Sequence, residues 1–454
     1  MQIIADLHIH SKYSRACSKD LVLEKIDEAC RIKGLDVVGT GDFTHPEWFK
    51  EMKEKLVEKE EGLYTIKTPL PGPLLVKERG QETRFICSAE ISCIYSKGGK
   101  CRRLHIIVLA PSLEVVEKIN LALGKIGNLK SDGRPILGVD AKELARIVLE
   151  IDDRCMIIPA HIWTPWFAMF GSKSGFDSIE ECFEELTPKI LAIETGLSSD
   201  AVMNWRVKNL DNVSIVSNSD AHSLANIGRE ANVFEINLPD EASPLSPLLR
   251  KEGTINATSP KGGDKISYDK ICEIIKEKNH KEFLYTIEFY PEEGMYHYDG
   301  HRVCGFSSTP EKSKQLKNIC PICKKPLTIG VLNRVEELAE IDRGENYFDK
   351  NRVPYKKLVG LEKIIAEALG VKSRNSKQVQ SEYKKLLNDF KNEFYILIEA
   401  ELEKLKEKTL PEIAEGIKRM REGKLIIKPG FDGQYGEVKI FNEAVRKKYQ
   451  NRLF

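Results

Sequence analysis

Residues 2–10, QIIADLHIH, form a β-rich run that ends in two histidines, and they decide how the rest of the chain is interpreted. In a strand, residues i and i+2 point to the same face, so His8 and His10 can reach one metal ion together. The run therefore predicts a buried strand with ligand-type side chains at its carboxyl end.

Six further β-rich runs follow, separated by amphipathic helical stretches. The runs are Leu35–Thr40, Arg84–Ile91, Arg103–Ala110, Cys155–His161, Ile190–Glu194 and Val213–Ser217, and the main helical stretches are Leu21–Lys33, Leu113–Ile126, Ala141–Ile151 and Asp200–Asn209. Seven strands with helical crossovers predict an α/β fold with a parallel sheet, either open or closed into a barrel. Gly62–Arg84 is predicted to be an inserted loop, and 239–267, rich in Pro, Ser and Gly, a loop or domain edge.

Other strand ends also carry ligand-type side chains. These are Asp42, Glu90, His105, His161, Asp220 and His222. Taken singly, such residues are more often ordinary polar pairs or helix N-caps. Five strand ends together predict a metal site, because the carboxyl ends of strands in an α/β fold meet at one rim. Mixed imidazole and carboxylate donors suit Zn, Mn or Fe, and a carboxylate can bridge two ions.

These residues stand in motifs that resemble the polymerase-and-histidinol-phosphatase (PHP) metallohydrolases. The motifs are DLHIHS at 6–11, TGD at 40–42, AEI at 89–91, His105, AH at 160–161 and SDAH at 219–222. The resemblance implies a distorted (β/α)7 barrel that holds two or three divalent ions (Zn, Mn, Mg or Fe). It assigns His8, His10, Glu90 and Asp220, the catalytic set, to one ion, Glu90, His105 and His161 to a second, and Asp42 and His222 to a third. Neither Arg15 nor Ala16, where a further ligand of the third site is expected, can serve as one.

A second cluster of ligand-type residues follows the barrel. His301, Cys304, Cys320 and Cys323 form two close pairs separated by a flexible stretch, which predicts a structural zinc site, with His297 as an alternative fourth ligand. The chain has 11 cysteines, an odd number, and we find no signal-peptide pattern, so reduced thiols in the cytoplasm are expected rather than disulfides. No apolar run is long enough to predict a membrane span.

The charge is unevenly distributed. The net charge is +1, but residues 301–454 contain 32 Lys+Arg against 22 Asp+Glu, whereas residues 1–300 contain 38 against 47. A basic final third indicates either a polyanion-binding region or a solvated, Lys-rich helical surface. The predicted organisation is the barrel at 1–240, a connecting segment at 241–294, a zinc-binding module at 295–328, a basic helical region at 329–422, and a C-terminal hairpin and tail at 423–454.

A PHP barrel followed by a zinc module and a basic helical region is similar to a group of DNA-repair nucleases in this superfamily. The similarity implies nicking on the 5′ side of deaminated bases (uracil, hypoxanthine, xanthine) or abasic sites. DNA carrying such nucleotides is the implied partner, and other repair or replication proteins are further candidate partners. The implied location is the cytoplasm, in association with the nucleoid when the protein is bound to DNA. Candidate contacts to the DNA backbone are Lys324, Lys325, Lys356, Lys357, Lys372, Arg374 and Lys377.

Recognition of a single base requires a pocket into which the nucleotide is extruded. The candidates are Trp163, Trp166, Gly196 and Ser198. The alternatives are packing in the barrel for both tryptophans and a helix N-cap for Ser198. Arg229 can form an internal ion pair or contact a phosphate. Two other functions remain open: a phosphomonoesterase of the PHP family, and a DNA-binding protein whose metal sites are vestigial.

Overall fold

The computed structural model describes residues 1–68, 82–236, 266–345 and 347–442. The predicted loop at 62–84 and the predicted domain edge at 239–267 therefore lie partly or mostly outside the described residues, as does the tail after 442. Within the described ranges, no helix is both long and apolar enough to cross a membrane.

The protein has a mixed α/β fold, as predicted, and helices separate most of the strands in the described part of the first 216 residues. The strands are β1 Gln2–Asp6, β2 Val37–Gly39, β3 Leu56–Glu60, β4 Leu63–Ile66, β5 Arg84–Lys97, β6 Lys100–Ala110, β7 Ile136–Leu137, β8 Met156–Pro159, β9 Ala192–Glu194, β10 Ser214–Val216, β11 Ala231–Glu235, β12 Phe283–Glu288, β13 Asp299–His301, β14 Phe306–Ser308, β15 Tyr355–Lys357, β16 Ile426–Lys428 and β17 Glu437–Lys439. All seven predicted strands are present, as β1, β2, β5, β6, β8, β9 and β10.

The helices flank the strands early in the chain and dominate its last quarter. They are α1 Leu23–Lys33, α2 Pro46–Lys55, α3 Leu113–Leu123, α4 Ala141–Ile151, α5 Ile179–Phe183, α6 Ala201–Trp205, α7 Tyr268–Glu277, α8 Pro310–Gln315, α9 Val331–Leu338, α10 Leu361–Leu369, α11 Lys377–Asp389, α12 Leu402–Lys408 and α13 Pro411–Arg421. A short π-helix, Tyr395–Glu399, precedes α12 and is separated from it at Ala400.

In the described ranges the main sheet has 11 strands and is mixed rather than parallel, which corrects the prediction of a parallel sheet. Strands β1, β2 and β5 run parallel to each other, but β5 pairs antiparallel with β6, and β6 pairs antiparallel with β8. The reason is a hairpin between β5 and β6, which are joined by Gly98 and Gly99 alone. Both glycines have positive φ, 60° and 72°, as a two-residue hairpin turn of this kind requires.

Hydrogen bonds also join the strand ends that are not paired within the main sheet. The amide of Ile162, after β8, donates to the carbonyl of Glu194 at the end of β9 (3.2 Å). The amide of His10, after β1, donates to the carbonyl of Ala221 after β10 (3.1 Å). Since β9 and β10 are themselves paired in parallel, these contacts bring the carboxyl ends of β1, β8, β9 and β10 to one place.

The core follows from the alternation of side chains along these strands. Ile3, Ala5 and Leu7 are at most 1% exposed and share one buried cluster with Ile107 and Ile158. The opposite faces pack on the helices; α4, for example, is capped by Asp140, whose side chain accepts from the Lys142 amide, and buries Leu144, Ala145 and Val148. With the strands covered on both sides, polar side chains beyond the strand ends are left facing one another.

Candidate metal centre

The first group of site residues lies beyond β1, within β5 and after β10. One ligand atom each from His8, His10, Glu90 and Asp220 can be chosen so that all lie within 4.8 Å of one another. His10 Nε2 is 3.0 Å from Asp220 Oδ1 and 3.2 Å from Glu90 Oε2. Three of these residues are at most 2% exposed. The structure thus brings together the four residues that the resemblance assigned to one ion.

The second group shares Glu90 with the first. His105 Nδ1 lies 2.6 Å and His161 Nε2 3.0 Å from Glu90 Oε1, whereas the other oxygen of this carboxylate faces His8 and His10. The three residues again form a compact set of possible ligands. A carboxylate with one oxygen toward each group has the arrangement needed to bridge two metal ions.

Three of the ligand-type residues have left-handed backbone. Asp42, His161 and Asp220 have φ values of 48°, 29° and 45°. Non-glycine residues adopt this region at a cost, and such residues concentrate at functional sites. The strain is consistent with side chains that are aimed at a common centre rather than left in their easiest conformation.

The arrangement fits divalent cations, because it concentrates imidazole and carboxylate ligand atoms and leaves one of them without a partner in the described part of the chain. His8 Nε2 is buried and has no hydrogen-bond partner among the described residues. Burial lowers the pKa of His8, but the carboxylates of Glu194 and Glu90 outweigh burial and raise the pKa well above its usual value. For Glu90, burial raises the pKa, but His105 and Arg134 hold it well below its usual value. Carboxylates buried together in this way need compensating positive charge, which bound cations can supply in addition to Arg134.

Two further carboxylates contact the Nδ1 atoms of His8 and His10, which face away from the centre. Glu194, at the end of β9, lies 3.0 Å from His8 Nδ1 and also accepts from the amide of His161 (2.9 Å) and from Asn218 Nδ2 (2.9 Å). Asp42 lies 2.9 Å from His10 Nδ1 and accepts from Ser11 and Ser14. Carboxylates on the far nitrogen of ligand histidines set the tautomer and strengthen metal binding. Glu194 was missed in the sequence, although it ends a predicted strand as the other ligand-type residues do.

We expect Glu194→Gln to weaken metal binding by about 10–100-fold, because the amide cannot hold the His8 imidazole as a carboxylate does. Competition with a metal-sensitive chelator, followed at equilibrium, measures the affinity. Glu235→Gln, a change at the end of β11 where Glu235 pairs with the N-terminus, is the matched control. Equal metal affinities for the two variants would contradict an orienting role for Glu194.

The remaining predicted ligands, Asp42 and His222, do not enter either group. The Asp42 oxygens are engaged by His10, Ser11 and Ser14. His222 is half-exposed; its Nδ1 donates to the Asp220 carbonyl (2.9 Å), and its ring lies 4.6 Å from that of His10. Their assignment to a third ion therefore stays a prediction.

Arg134 is a second residue that sequence reasoning left without a role. Its Nη1 lies 2.9 Å from Glu90 Oε2, and a quarter of its side chain (26%) remains exposed. A guanidinium at this position can contact Glu90 and an incoming anion at the same time. It lies in the segment SDGRP at 131–135, and its role was not evident because the segment joins the site only in three dimensions.

The candidates for a base pocket separate into different environments. Trp163 is fully buried, packs against Phe170 and donates from Nε1 to Asn204 Oδ1 (2.7 Å). This corrects the prediction of a stacking role, since no face of its ring is free for a base. Trp166 is 39% exposed and meets the ring of Tyr296 at 5.7 Å.

The loop after β9 lies directly against the metal centre. A Cβ at Gly196 would lie 2.3 Å from the Cβ of His161, so only glycine fits there. Ser198 is half-buried and is not the N-cap of α6; Asp200 is, accepting from the Met203 amide (2.9 Å). The helix predicted over Asp200–Asn209 accordingly begins at Ala201 and ends at Trp205.

The candidate contacts to DNA also differ in accessibility. Lys357 is paired with Asp200 (Nζ–Oδ2 2.7 Å) and is only 19% exposed, which corrects its prediction as a contact for the DNA backbone. Lys356 lies 3.9 Å from the centre of the Tyr285 ring. The exposed candidates are Lys324, Lys325, Lys356, Lys372, Arg374 and Lys377.

The predicted zinc ligands His301, Cys304, Cys320 and Cys323 also come together. Their ligand atoms lie within 4.8 Å of one another, and Cys320 is fully buried. His297, the alternative ligand, stacks on Tyr298 and is not a member of this group. Three thiols and an imidazole at these distances suit a closed tetrahedral zinc site.

Two solved structures are similar to this protein from end to end. One is the lesion-specific endonuclease PfuEndoQ from Pyrococcus furiosus, with a TM-score of 0.78 and 29% identity, covering 98% of this chain and 96% of that one. The other is endonuclease Q in complex with a 27-mer duplex substrate that has an abasic lesion at its active site, with the same TM-score and identity and 98% coverage of both chains. The chain resembles endonuclease Q along nearly its whole length. This confirms the resemblance to DNA-repair nucleases that its motifs predicted.

Sequence comparisons extend the similarity beyond endonuclease Q. Residues 360–424 match the family model of the MJ0043 C-terminal domain. The uncharacterized protein MJ0043 of Methanocaldococcus jannaschii is 31% identical over 297 residues, which are 64% of this chain and only 33% of the length of that relative. The uncharacterized protein YqxK of Bacillus subtilis is 27% identical over 451 residues, 96% of this chain and 99% of its own length.

Proposed function

We propose that the protein is a metal-dependent endonuclease that nicks DNA on the 5′ side of abasic sites and deaminated bases. The observation that carries this proposal is the carboxylate of Glu90, which belongs to both groups of candidate metal ligands. The chain that contains it is similar to endonuclease Q over 98% of its length. One group alone would be compatible with many metalloproteins. The shared carboxylate and the end-to-end similarity together favour phosphodiester hydrolysis.

The proposed architecture is a distorted (β/α)7 PHP barrel at 1–240 and a connecting segment at 241–294. A zinc-binding module at 295–328, a basic helical region at 329–422 and a C-terminal hairpin and tail at 423–454 follow. In support, the seven predicted strands exist, and hydrogen bonds join β8 to β9 and β10 to β1. The pairing of β16 with β17 supports the hairpin. Two or three divalent ions in the barrel and one structural zinc complete the proposal.

Divalent ions bound in such a centre lower the pKa of water to near neutrality and offset the charge of a phosphodiester. His8, His10, Glu90 and Asp220 would hold one ion, and Glu90, His105 and His161 the other. Glu194 and Asp42 keep the imidazoles of His8 and His10 oriented, so that Nε2 of each faces the centre. Arg134, beside Glu90, would contact a phosphate oxygen. Cleavage of the bond to the 3′ oxygen leaves a 3′-hydroxyl and a 5′-phosphate.

A damaged nucleotide would be read outside the helix, since the edge of a paired base is hidden. Trp166, Gly196 and Ser198 are the proposed pocket residues, because they lie on the two loops that flank His161. The half-exposed Trp166 offers a ring, and Gly196 allows close approach to His161. Lys324, Lys325, Lys356 and Arg374 are proposed to contact the DNA backbone.

The test uses the purified full-length protein and end-labelled duplexes that contain one abasic site, uracil or hypoxanthine, with an undamaged duplex as control. We expect a single nick 5′ to the lesion in the presence of Mg²⁺, Mn²⁺ or Zn²⁺, and loss of nicking after chelation of the barrel ions. Mapping the product on a sequencing gel locates the cut. Release of phosphate from a small monoester without nicking would favour the phosphomonoesterase, and binding without cleavage under every metal would favour a DNA-binding protein.

A further inference from the structure

A cavity of about 220 Å³ separates the first part of the chain from the C-terminal helices. One wall is the connection between β10 and β11, from Ala225 to Arg229, together with Lys33 at the end of α1. The opposite wall includes Arg374 and the π-helix residue Leu397. A space of this size holds several water molecules or one phosphate group.

Four cationic side chains line this cavity: Lys363, which is paired with Glu293, and the three others, Lys33, Arg229 and Arg374. Arg229 donates from Nε to the carbonyl of Ser219 (2.9 Å) and from Nη2 to the carbonyl of Asp220 (3.3 Å). Lys33 Nζ donates to the carbonyl of Ala225 (2.8 Å), and Arg374 Nη2 donates to the side-chain oxygen of Asn226 (3.3 Å). Within the described part of the chain, none of the three has a carboxylate oxygen within 4.0 Å, although most other arginines do.

The carboxylates that also line the cavity are engaged elsewhere. Glu293 pairs with Lys363. Glu362 accepts from Gln380 Nε2 (2.6 Å), and Glu393 accepts from the Tyr383 hydroxyl (2.6 Å) and from the amide of Leu361 (3.1 Å). The positive charge of the three cations is therefore not offset by direct contacts. Phe289 and Phe394 add two apolar rings to the lining.

We propose that this cavity binds a phosphate group, held by Lys33, Arg229 and Arg374. Two guanidinium groups and an ammonium are the side chains that recognise phosphate, and Arg229 is already fixed by two backbone carbonyls. Because one of these carbonyls belongs to Asp220, the bound phosphate would lie next to the metal centre. The phosphate could come from the backbone of bound DNA, in which case the inference rests on the proposed function, or from a free phosphate or nucleotide.

The test compares three proteins that share the substitution Glu90→Gln, which is expected to prevent cleavage. The first carries no other change, the second adds Lys33→Gln and Arg374→Gln, and the third adds Lys404→Gln and Lys424→Gln. The control lysines are exposed and already paired with Glu401 and Glu422, and the two pairs of changes remove the same charge. Arg229 is left intact, because it holds the backbone of Asp220. Fluorescence anisotropy with an abasic duplex over a range of salt, and thermal unfolding with millimolar inorganic phosphate, are the two measurements.

A backbone phosphate predicts that Lys33→Gln/Arg374→Gln lowers duplex affinity at least about tenfold. It also predicts a salt slope that falls by about one to two, while the control pair changes neither. A free phosphate predicts instead that inorganic phosphate raises the unfolding temperature of the first and third proteins but not of the second, with duplex affinity unchanged. Equal affinities, slopes and phosphate responses in all three proteins would overturn the proposal.

Folding and the proposed function are checked separately. Arg374→Lys with Lys33 intact keeps the charge and should recover most of the binding, which excludes a mere loss of fold. If the wild-type chain nicks none of the damaged duplexes, the proposed function fails, whereas the phosphate measurement still tests the cavity.

Discussion

Glu90→Gln is expected to lower the rate of nicking of an abasic duplex by about 10³-fold or more, because the variant removes the one charge that both groups of the metal centre share. The Glu90 carboxylate lies within 3.6 Å of His8, His10, His105 and His161. Glutamine keeps the shape of the side chain but can offer only one weakly basic oxygen. Both ions would be bound more weakly, and their spacing would no longer be set by one group.

Single-turnover kinetics under saturating enzyme separate this effect from DNA binding, which should persist within a few-fold. Metal content after dialysis, measured by elemental analysis, should fall from two ions in the barrel to one or none. The control is Glu282→Gln. Glu282 also has little exposure, and it lies just before β12, where its carbonyl accepts from the amide of Glu235 in β11. Full activity and full metal content in Glu90→Gln would end the proposal of a bridged centre.

Cys320→Ser is expected to have the second-largest effect, the loss of the proposed structural zinc and of order in the proposed module at 295–328. Cys320 is fully buried, and its amide donates to the carbonyl of Lys325 (2.8 Å). Around it the segment has the short strands β13 and β14, a three-residue 3-10 helix at Arg302–Cys304 and the six-residue helix α8. So small a unit cannot bury enough apolar surface to fold alone, and bound zinc contributes its folding free energy.

Zinc stoichiometry and hydrogen exchange across the module measure this outcome. We expect one zinc fewer per chain and loss of protection confined to the module. Cys101→Ser removes an exposed free thiol from the β5–β6 hairpin and should change neither quantity. Undiminished zinc content and protection in Cys320→Ser would show that the four ligands do not bind zinc as a set.

Several features of the site could be predicted because local chemistry determines them. The alternation of side chains in a strand places His8 and His10 on one face, and His161 and Asp220 follow the ends of β8 and β10 as predicted. The Cys and His pairs of the zinc module are likewise recognisable from spacing. For these residues the tertiary structure supplied distances rather than a different interpretation.

Other residues could not be assigned from the sequence, because their role depends on contacts between distant segments. Glu194 and Arg134 meet their partners 186 and 44 residues away. Trp163 and Trp166 stand three positions apart, yet one is fully buried and the other is 39% exposed. Lys356 and Lys357 are neighbours, and only packing against Asp200 makes the second unavailable to DNA.

The sequence by itself determined the α/β class, the seven strands and the donor atoms of both candidate metal sites, since strand periodicity and ligand chemistry are local properties. Only the tertiary structure decided that the sheet is mixed, that Glu90 faces two groups, and that unpaired cations gather around a cavity beside Asp220. The first depends on which distant strands pair, such as β1 with β11, and the others depend on which charges find a partner across the fold. Pairings of that kind are set by long-range packing, which no short stretch of sequence encodes.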